Sequence, residues 1–351
     1  MKHSIIPLFI PHLGCPHQCI FCNQVRITGR STSVEADEIK KTIDSYIESG
    51  SSDRFWEAAF YGGSFTALPV PVIESLLMPA FKALKQGKIH AIRLSTRPDC
   101  INEDILQLLS TYGVTTVELG VQSLDNNILL TAERGHTAED VVHAVSLLKK
   151  HHFIVGLQFM IGLPGEDYAS LRSTARKGVA LKPDFIRIYP VLALKGTVLG
   201  QMIAQKAYRP VSIHEAVVKA AFLKRWYNCH HIKVIRIGLQ ATEELNMGDA
   251  ILGGPYHPAM GEMVDQYIAM HQIKPFIIHA EHAEIICSPR DRSKIMGQHR
   301  KSWIQYEQLV KKSIICREEL SLPQGIVHVC VGENIFVVCI DENYRLKTKS
   351  Y

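Results

Sequence analysis

The chain has 351 residues, 46% of them apolar and 21% charged, enough to bury a substantial core in one large domain with a smaller companion. No apolar run reaches the roughly 18–20 residues that a membrane span needs. The opening apolar patch lacks a small-residue cleavage site and reads as a first strand, so a soluble protein with a cytoplasmic location is expected.

The first strand is expected at 5–10 (IIPLFI), followed by a cysteine-bearing loop, CPHQCIFC, at 15–22. Helical spacing follows at 33–48, where Ile39, Ile43, Tyr46 and Ile47 share a face and Ser33 can cap the start. Strands are expected at 55–61 and 89–95, and then a helix at 102–112 that groups Ile105, Leu108 and Leu109. A strand at 114–121 precedes a helix at 137–151, which opens on Thr137 and a Glu-Asp pair. Further strands fall at 153–160 and 184–189. Apolar, often β-branched runs of this kind suit a sheet buried on both faces. Their alternation with helices implies a parallel sheet with right-handed crossovers. The expected class is α/β, a partial (β/α)6 TIM-like barrel with a small C-terminal α+β domain, and ligands at the carboxyl ends of the strands.

Near residue 240 the alternation ends, which divides the chain into a core domain at 1–245 and an accessory domain at 246–351. There a turn-rich stretch, GGPYHPAMGE, opens a helix of about 10–14 residues, a length ordinary for globular helices. Short strands are expected near 283–287, 312–317, 326–331 and 335–341, around a helical segment at 294–310. The formal charge of +5 is uneven: residues 1–240 carry 27 basic and 20 acidic side chains. That bias permits an anionic partner such as RNA. Arg290, Arg292, Lys294, Arg300 and Lys301 against Asp291 form a local basic run, read as a solvated face or as a phosphate-backbone contact. His257, between prolines in PYHP, reads as part of a rigid turn.

Nine cysteines are present, and three of them, Cys15, Cys19 and Cys22, fall within eight residues in a C-x3-C-x2-C spacing. The other six, Cys100, Cys229, Cys287, Cys316, Cys330 and Cys339, are scattered and read as small buried hydrophobes. Clustered cysteines in a chain of this size point to metal chemistry over a disulfide framework. Three thiolates on one short loop can hold three irons of a 4Fe–4S cubane. The fourth iron is then open to S-adenosylmethionine (SAM), and one electron cleaves the sulfonium to a 5′-deoxyadenosyl radical. The alternative is zinc, with His12 or His17 as fourth ligand, which would make the chain a zinc-bound RNA-binding or scaffolding protein.

This spacing after a first strand, with Phe21 before the last cysteine, resembles the radical SAM superfamily. YGGSFTALP (61–69) resembles the superfamily's Gly-Gly motif, which meets the SAM amino group. STRPD (95–99), VELGVQS (117–123), RGHT (134–137), GLPGE (162–166) and RIYPVLALKGT (187–197) resemble the Elongator catalytic-subunit-like subgroup, which modifies wobble uridines in tRNA. The resemblance implies a 4Fe–4S cluster on the three cysteines. It implies SAM contacts from Gly62, Gly63, Ser64, Thr96, Gln122, Arg134, Gly162, Gly165 and Arg187. Gln122 and Ser123 end a strand where SAM's ribose or methionine would lie, and Arg134 suits the methionine carboxylate. Glu118 reads as a group of the barrel interior or of an internal salt bridge. Arg97, Tyr189 and Lys195 are further candidates near strand ends, Arg236 an edge cap, and His136 a helix-start residue. An electron donor such as flavodoxin or ferredoxin is implied, with tRNA as the leading substrate and a small molecule or protein as the alternative. Two departures limit the carry-over. The Elongator catalytic subunit has a longer gap after its first cluster cysteine, and residues 241–351 show no acetyl-CoA-like Gly-rich loop. Its acetyltransferase domain and its wobble-uridine reaction are therefore not carried over.

Overall fold

Each of the six apolar runs of the first half forms a strand. The structure, a computed structural model, describes residues 2–10, 15, 17–23, 34–51, 53–239, 248–297 and 300–340. The expected cap Ser33, the candidate ligand His12, and His299 lie outside the described residues. In chain order the elements are β1 (Lys2–Ile10), α1 (Ala36–Ser49), β2 (Arg54–Gly62), α2 (Val70–Lys85), β3 (Ala91–Thr96), α3 (Glu103–Thr111), β4 (Val114–Gln122), α4 (Asn126–Thr131), α5 (Ala138–Lys150), β5 (Ile154–Ile161), α6 (Tyr168–Ala180), β6 (Phe185–Pro190), β7 (Ala193–Leu194) and α7 (Val198–Ala204). They continue with α8 (Ile213–Cys229), β8 (Lys233–Ile237), β9 (Ile251–Gly253), α9 (Met260–Ile277), β10 (His282–Cys287), α10 (Arg292–Met296), α11 (Lys301–Leu309), β11 (Ser313–Glu318), β12 (Ile326–Val331) and β13 (Asn334–Cys339).

Contacts divide the chain into two units, residues 1–212 with 239–258, and residues 213–238 with 259–351. In the first unit β1 to β6 pair in sequence order, every pair parallel. The α/β alternation thus builds the partial TIM-like barrel expected from the apolar runs. Alternation along the strands sends two chemistries to opposite faces. Ala58 and Phe60, Ile92 and Leu94, Val117 and Leu119, Val155 and Leu157, and Ile186 and Ile188 are fully buried. Each of these side chains larger than alanine gains about 1.5–3 kcal/mol from leaving water.

The other face is polar and centred on Glu118, which has no exposed surface. Arg93 reaches it at 3.0 Å and Arg187 at 2.8 Å, while Arg93 also pairs with Glu57 at 2.6 Å. Gln158 donates to Glu118 at 2.9 Å and to Ser95 at 3.1 Å. Tyr61 accepts from Arg187 at 2.7 Å, and burial, reinforced by Glu118, pushes its phenol up to about 12. Two buried carboxylates and two buried guanidinium groups neutralise one another, which makes such an interior tolerable.

Local signals explain the flanking helices. Thr137 caps α5 in a capping box with Asp140, and Asn102 accepts from the Ile105 amide at the start of α3. The buried face of α3 is Ile105, Leu106 and Leu109; Leu108, expected there, is only half-buried. In α1, Ile39 and Ile43 are buried, while Tyr46 is largely exposed and meets the Trp56 ring edge-on.

In the second unit the strands run in the order β11-β10-β12-β13, with β10 and β11 parallel and the other pairs antiparallel. Ile273, Ile277, Ile285, Trp303, Tyr306, Val327 and Val329 form its core. The helix expected to span about 10–14 residues runs for 18. The helical segment expected at 294–310 is two helices, α10 and α11. Much of the basic run is paired locally: Arg292 with Glu318, Lys294 with Asp291 at 3.1 Å, and Arg300 with Glu307 at 3.5 Å. These pairs favour the solvated-face reading. Among the described residues no helix is long and apolar enough to cross a membrane.

Candidate active site

A cavity of about 480 Å³ opens at the carboxyl ends of β2 to β5. Cys15, Cys19 and Cys22 line it together with Gly62, Gly63, Ser64, Thr96, Arg97, Gln122 and Arg134. Residues named from five separate segments of sequence thus meet around one space. His17, Gln18, Phe21, Ser95, Gly120 and Gln158 complete the wall.

The cysteine loop is held from outside. The Ile20 amide donates to the Ala132 carbonyl at 3.3 Å, and the Leu199 amide donates to the Ile20 carbonyl at 2.8 Å. The Ile20 side chain, 2% exposed, packs with Ile128, Leu163, Val191 and Leu199. Asn23 donates to the Lys195 carbonyl at 3.3 Å. Between these pegs Cys22 closes a turn onto the Cys19 carbonyl at 3.0 Å. Cys19 is buried, Cys22 is half-buried and Cys15 is exposed. Among the described residues no three His, Cys, Asp or Glu side chains gather around one point as a lone metal ion would need. The three thiols all line the one cavity.

Gly62 is needed at its position. Its φ is +117°, and an added Cβ would lie 2.4 Å from the Ile10 carbonyl oxygen. Next to it the Gly63 amide donates to that same oxygen at 2.8 Å. Three buried hydroxyls follow: Thr96 Oγ1 lies 3.0 Å from Ser64 Oγ and 2.6 Å from Thr66 Oγ1. Ser64 also accepts from the Arg97 amide at 3.3 Å.

At the end of β4 the register shifts between Gly120 and Gln122, and Gln122 takes a left-handed φ of 66°. A non-glycine residue there stores strain, a feature concentrated at functional sites. The Gln122 Oε1 atom is buried without a partner, as are Arg97 Nη1 and Arg134 Nε. Buried polar atoms without partners are rare. These three belong to residues of the cavity wall, where a polar ligand would satisfy them. Arg97 is otherwise engaged with Asp99 at 3.0 Å. Arg134 donates to Cys19 Sγ at 3.1 Å and to the Gly120 carbonyl at 2.6 Å. His136 is buried, its Nε2 lying 3.3 Å from the Val121 carbonyl oxygen. Burial, helped by Arg134 and Arg97, pulls its imidazole down to about 4.

Other residues singled out from sequence stand apart from this wall. Gly162 has a φ of +86° and lies against Val211, and its carbonyl accepts from the Tyr208 hydroxyl at 2.6 Å. Gly165 has a φ of +83° with open space around it. Arg187 belongs to the barrel interior, 2.8 Å from Glu118, with Tyr189 accepting from it at 3.3 Å. The salt-bridge reading of Glu118 is the one the geometry realises. Ser123 turns to Thr174 at 3.3 Å, Lys195 is exposed, and Arg236 donates to the Gly238 carbonyl at 3.1 Å. Ser95 and Gln158 were missed, although alternation with the buried apolar positions of β3 and β5 points both to the polar face. The approach of Cys100 was also missed: burial raises its thiol, and the Ser64 hydroxyl partly offsets this.

With this geometry in view, comparison with known proteins gives consistent results. The Radical SAM superfamily matches residues 9–178, and the Radical_SAM C-terminal domain matches residues 183–270. A tRNA uridine(34) acetyltransferase of Methanocaldococcus jannaschii is 32% identical over 304 residues, covering 74% of this chain and 54% of the relative. A heme chaperone, HemW, of Lactococcus lactis is 23% identical over 239 residues, covering 65% of this chain and 61% of the relative. The chain thus spans little more than half the length of these curated relatives. Among solved structures, the archaeal Elp3 of Methanocaldococcus infernus, lacking its N-terminal residues 1–46, aligns with a TM-score of 0.61 at 22% identity. That alignment covers 76% of this chain and 62% of the other, and it shows a shared fold.

Proposed function

We propose, from the premise that this chain belongs to the radical SAM superfamily and is an enzyme of it, that its cavity binds a 4Fe–4S cluster and SAM to modify tRNA by radical chemistry. The observation that carries the reading is the convergence of Cys15, Cys19 and Cys22 with Gly62, Gly63, Gln122 and Arg134 on one cavity. The thiol donor set suits iron–sulfur ligation, and the unpartnered buried atoms beside it call for a polar ligand. When bound, the cluster would supply the electron that splits SAM into methionine and a 5′-deoxyadenosyl radical, which abstracts hydrogen from substrate.

The chain's own residues would do the positioning. Cys15, Cys19 and Cys22 would hold three irons and leave the fourth for SAM. The backbone at Gly62 and Gly63, free of side chains, allows close approach of a ligand. Gln122 Oε1 can accept from an amino or hydroxyl group, and Arg97 Nη1 can donate to an oxygen. Glu57, Glu118, Arg93 and Arg187 keep the space beneath rigid and neutral. The tRNA assignment is supported by the tRNA-modifying relative and by the basic bias of residues 1–240. An electron donor of the flavodoxin or ferredoxin class would complete the system.

The test is anaerobic incubation with SAM and dithionite, assaying 5′-deoxyadenosine with and without bulk tRNA. Release of 5′-deoxyadenosine that rises with tRNA is expected, together with loss of both iron and cleavage in Cys19→Ala. Cleavage indifferent to tRNA would point to a small-molecule or protein substrate. A colourless, iron-free protein after reconstitution would overturn the cofactor assignment.

A further inference from the structure

Arg134 is only 6% exposed. Among the described residues no carboxylate lies within 4.0 Å of it, whereas the neighbouring Arg97 is neutralised by Asp99 at 3.0 Å. A lone cation buried this deeply persists only against a negative partner. Its contacts identify that partner. Nη1 donates to Cys19 Sγ at 3.1 Å, and Nη2 is fixed by the Gly120 carbonyl at 2.6 Å. Cys19 is itself only 6% exposed, so solvent screens the pair weakly.

The surroundings hold this guanidinium in place. The Arg134 amide closes onto the Leu129 carbonyl at 3.0 Å, and its own carbonyl accepts from Arg97. An added Cβ at Gly120 would stand 3.1 Å from Gln122 Nε2 and in ordinary contact with Arg134 Nη2 at 3.4 Å. Each Nη atom keeps a second N–H and Nε is unpartnered, so the expected contact with a SAM carboxylate stays open beside the Cys19 contact.

We propose that Arg134 is a positioning residue that serves as the charge partner of the Cys19 sulfur and raises the reduction potential of the cluster. The inference rests on the reading of the cavity as a cluster site. Iron–sulfur potentials respond to net charge and to hydrogen bonds at the sulfurs. An added electron is stabilised by a fixed cation nearby, and a hydrogen bond to the thiolate draws charge away from the iron. Both effects favour the reduced state, the one able to cleave SAM.

The test uses wild type, Arg134→Met and Arg134→Lys, reconstituted anaerobically. Iron content, the midpoint potential by EPR-monitored titration without SAM, and SAM affinity are then measured. Arg134→Met is expected to load iron as wild type does and to lose tenfold in the equilibrium constant for reduction, a fall of about 59 mV for a one-electron couple. Arg134→Lys keeps the charge but cannot bridge both acceptors, so its potential falls by less. If Arg134→Met fails to load iron, Arg134→Lys decides. An unmoved potential in a loaded variant overturns the inference, and if SAM affinity falls alongside it, Arg134 is a carboxylate anchor. Absence of a cluster in the wild type overturns the cofactor reading itself, a distinct result.

Discussion

His136 sits two residues from Arg134 at 5% exposure, with its imidazole held near 4 by burial and then by the Arg134 charge. In the unfolded chain the same group titrates near 6.5. Between those values the unfolded state binds the proton and the folded state does not, so stability falls as pH falls. The contribution is complete above about pH 6.5 and amounts to about 3 kcal/mol when lost, most of it by pH 4. Denaturant unfolding from pH 7 to 4 is expected to show this slope in wild type and to lack it in His136→Gln. Equal slopes would sink the assignment. At this scale the sequence reveals residue type better than residue partner. Gly62 is legible because its apolar strand and paired glycines announce a close approach. The Arg134 contact with Cys19 is not, because 115 positions separate the two and only the turn between α4 and α5 brings them together. Arg187 reads as a ligand contact until the Glu118 carboxylate is seen against it.

The loop bearing the cysteines borrows its shape from α4 and α7 through Ile20. Ile20→Ala removes a buried side chain from that small core and is expected to cost about 2–5 kcal/mol locally. The measurable outcome is iron lost faster to a chelator than in wild type, with the far-UV circular dichroism unchanged. Retention at the wild-type rate would show that the pegging is dispensable. The strands were readable because each is a continuous apolar run, and their ends fall close to those expected. Helix α2 was not named. Pro71 in its first turn suits a helix start, but Pro79 lies inside, a signal that ordinarily breaks a helix. Yet Ile73, Leu76, Leu77 and Ala80 keep helical spacing and are buried. Tertiary burial outweighed the local breaker.

Over the whole chain, a single cut near 245 was the natural reading because the β-α rhythm stops there. Compactness follows another division, since residues 213–238 group with 259–351. Within that unit Lys224 of α8 pairs with Asp265 of α9, and α8 buries Ala216, Val217, Ala220, Leu223 and Tyr227. A chain cut after 245 keeps α8 but loses α9. It is expected to aggregate or to be cleaved by protease within 213–238, whereas intact folding by proteolysis and light scattering would support the sequential boundary. The same interleaving of near and far segments has a consequence in time. The thiols are synthesised well before Leu199, whose amide holds the Ile20 carbonyl. A nascent chain therefore exposes three sulfurs long before their scaffold exists, and delivery of the proposed cluster to a finished site would be a late event in biosynthesis.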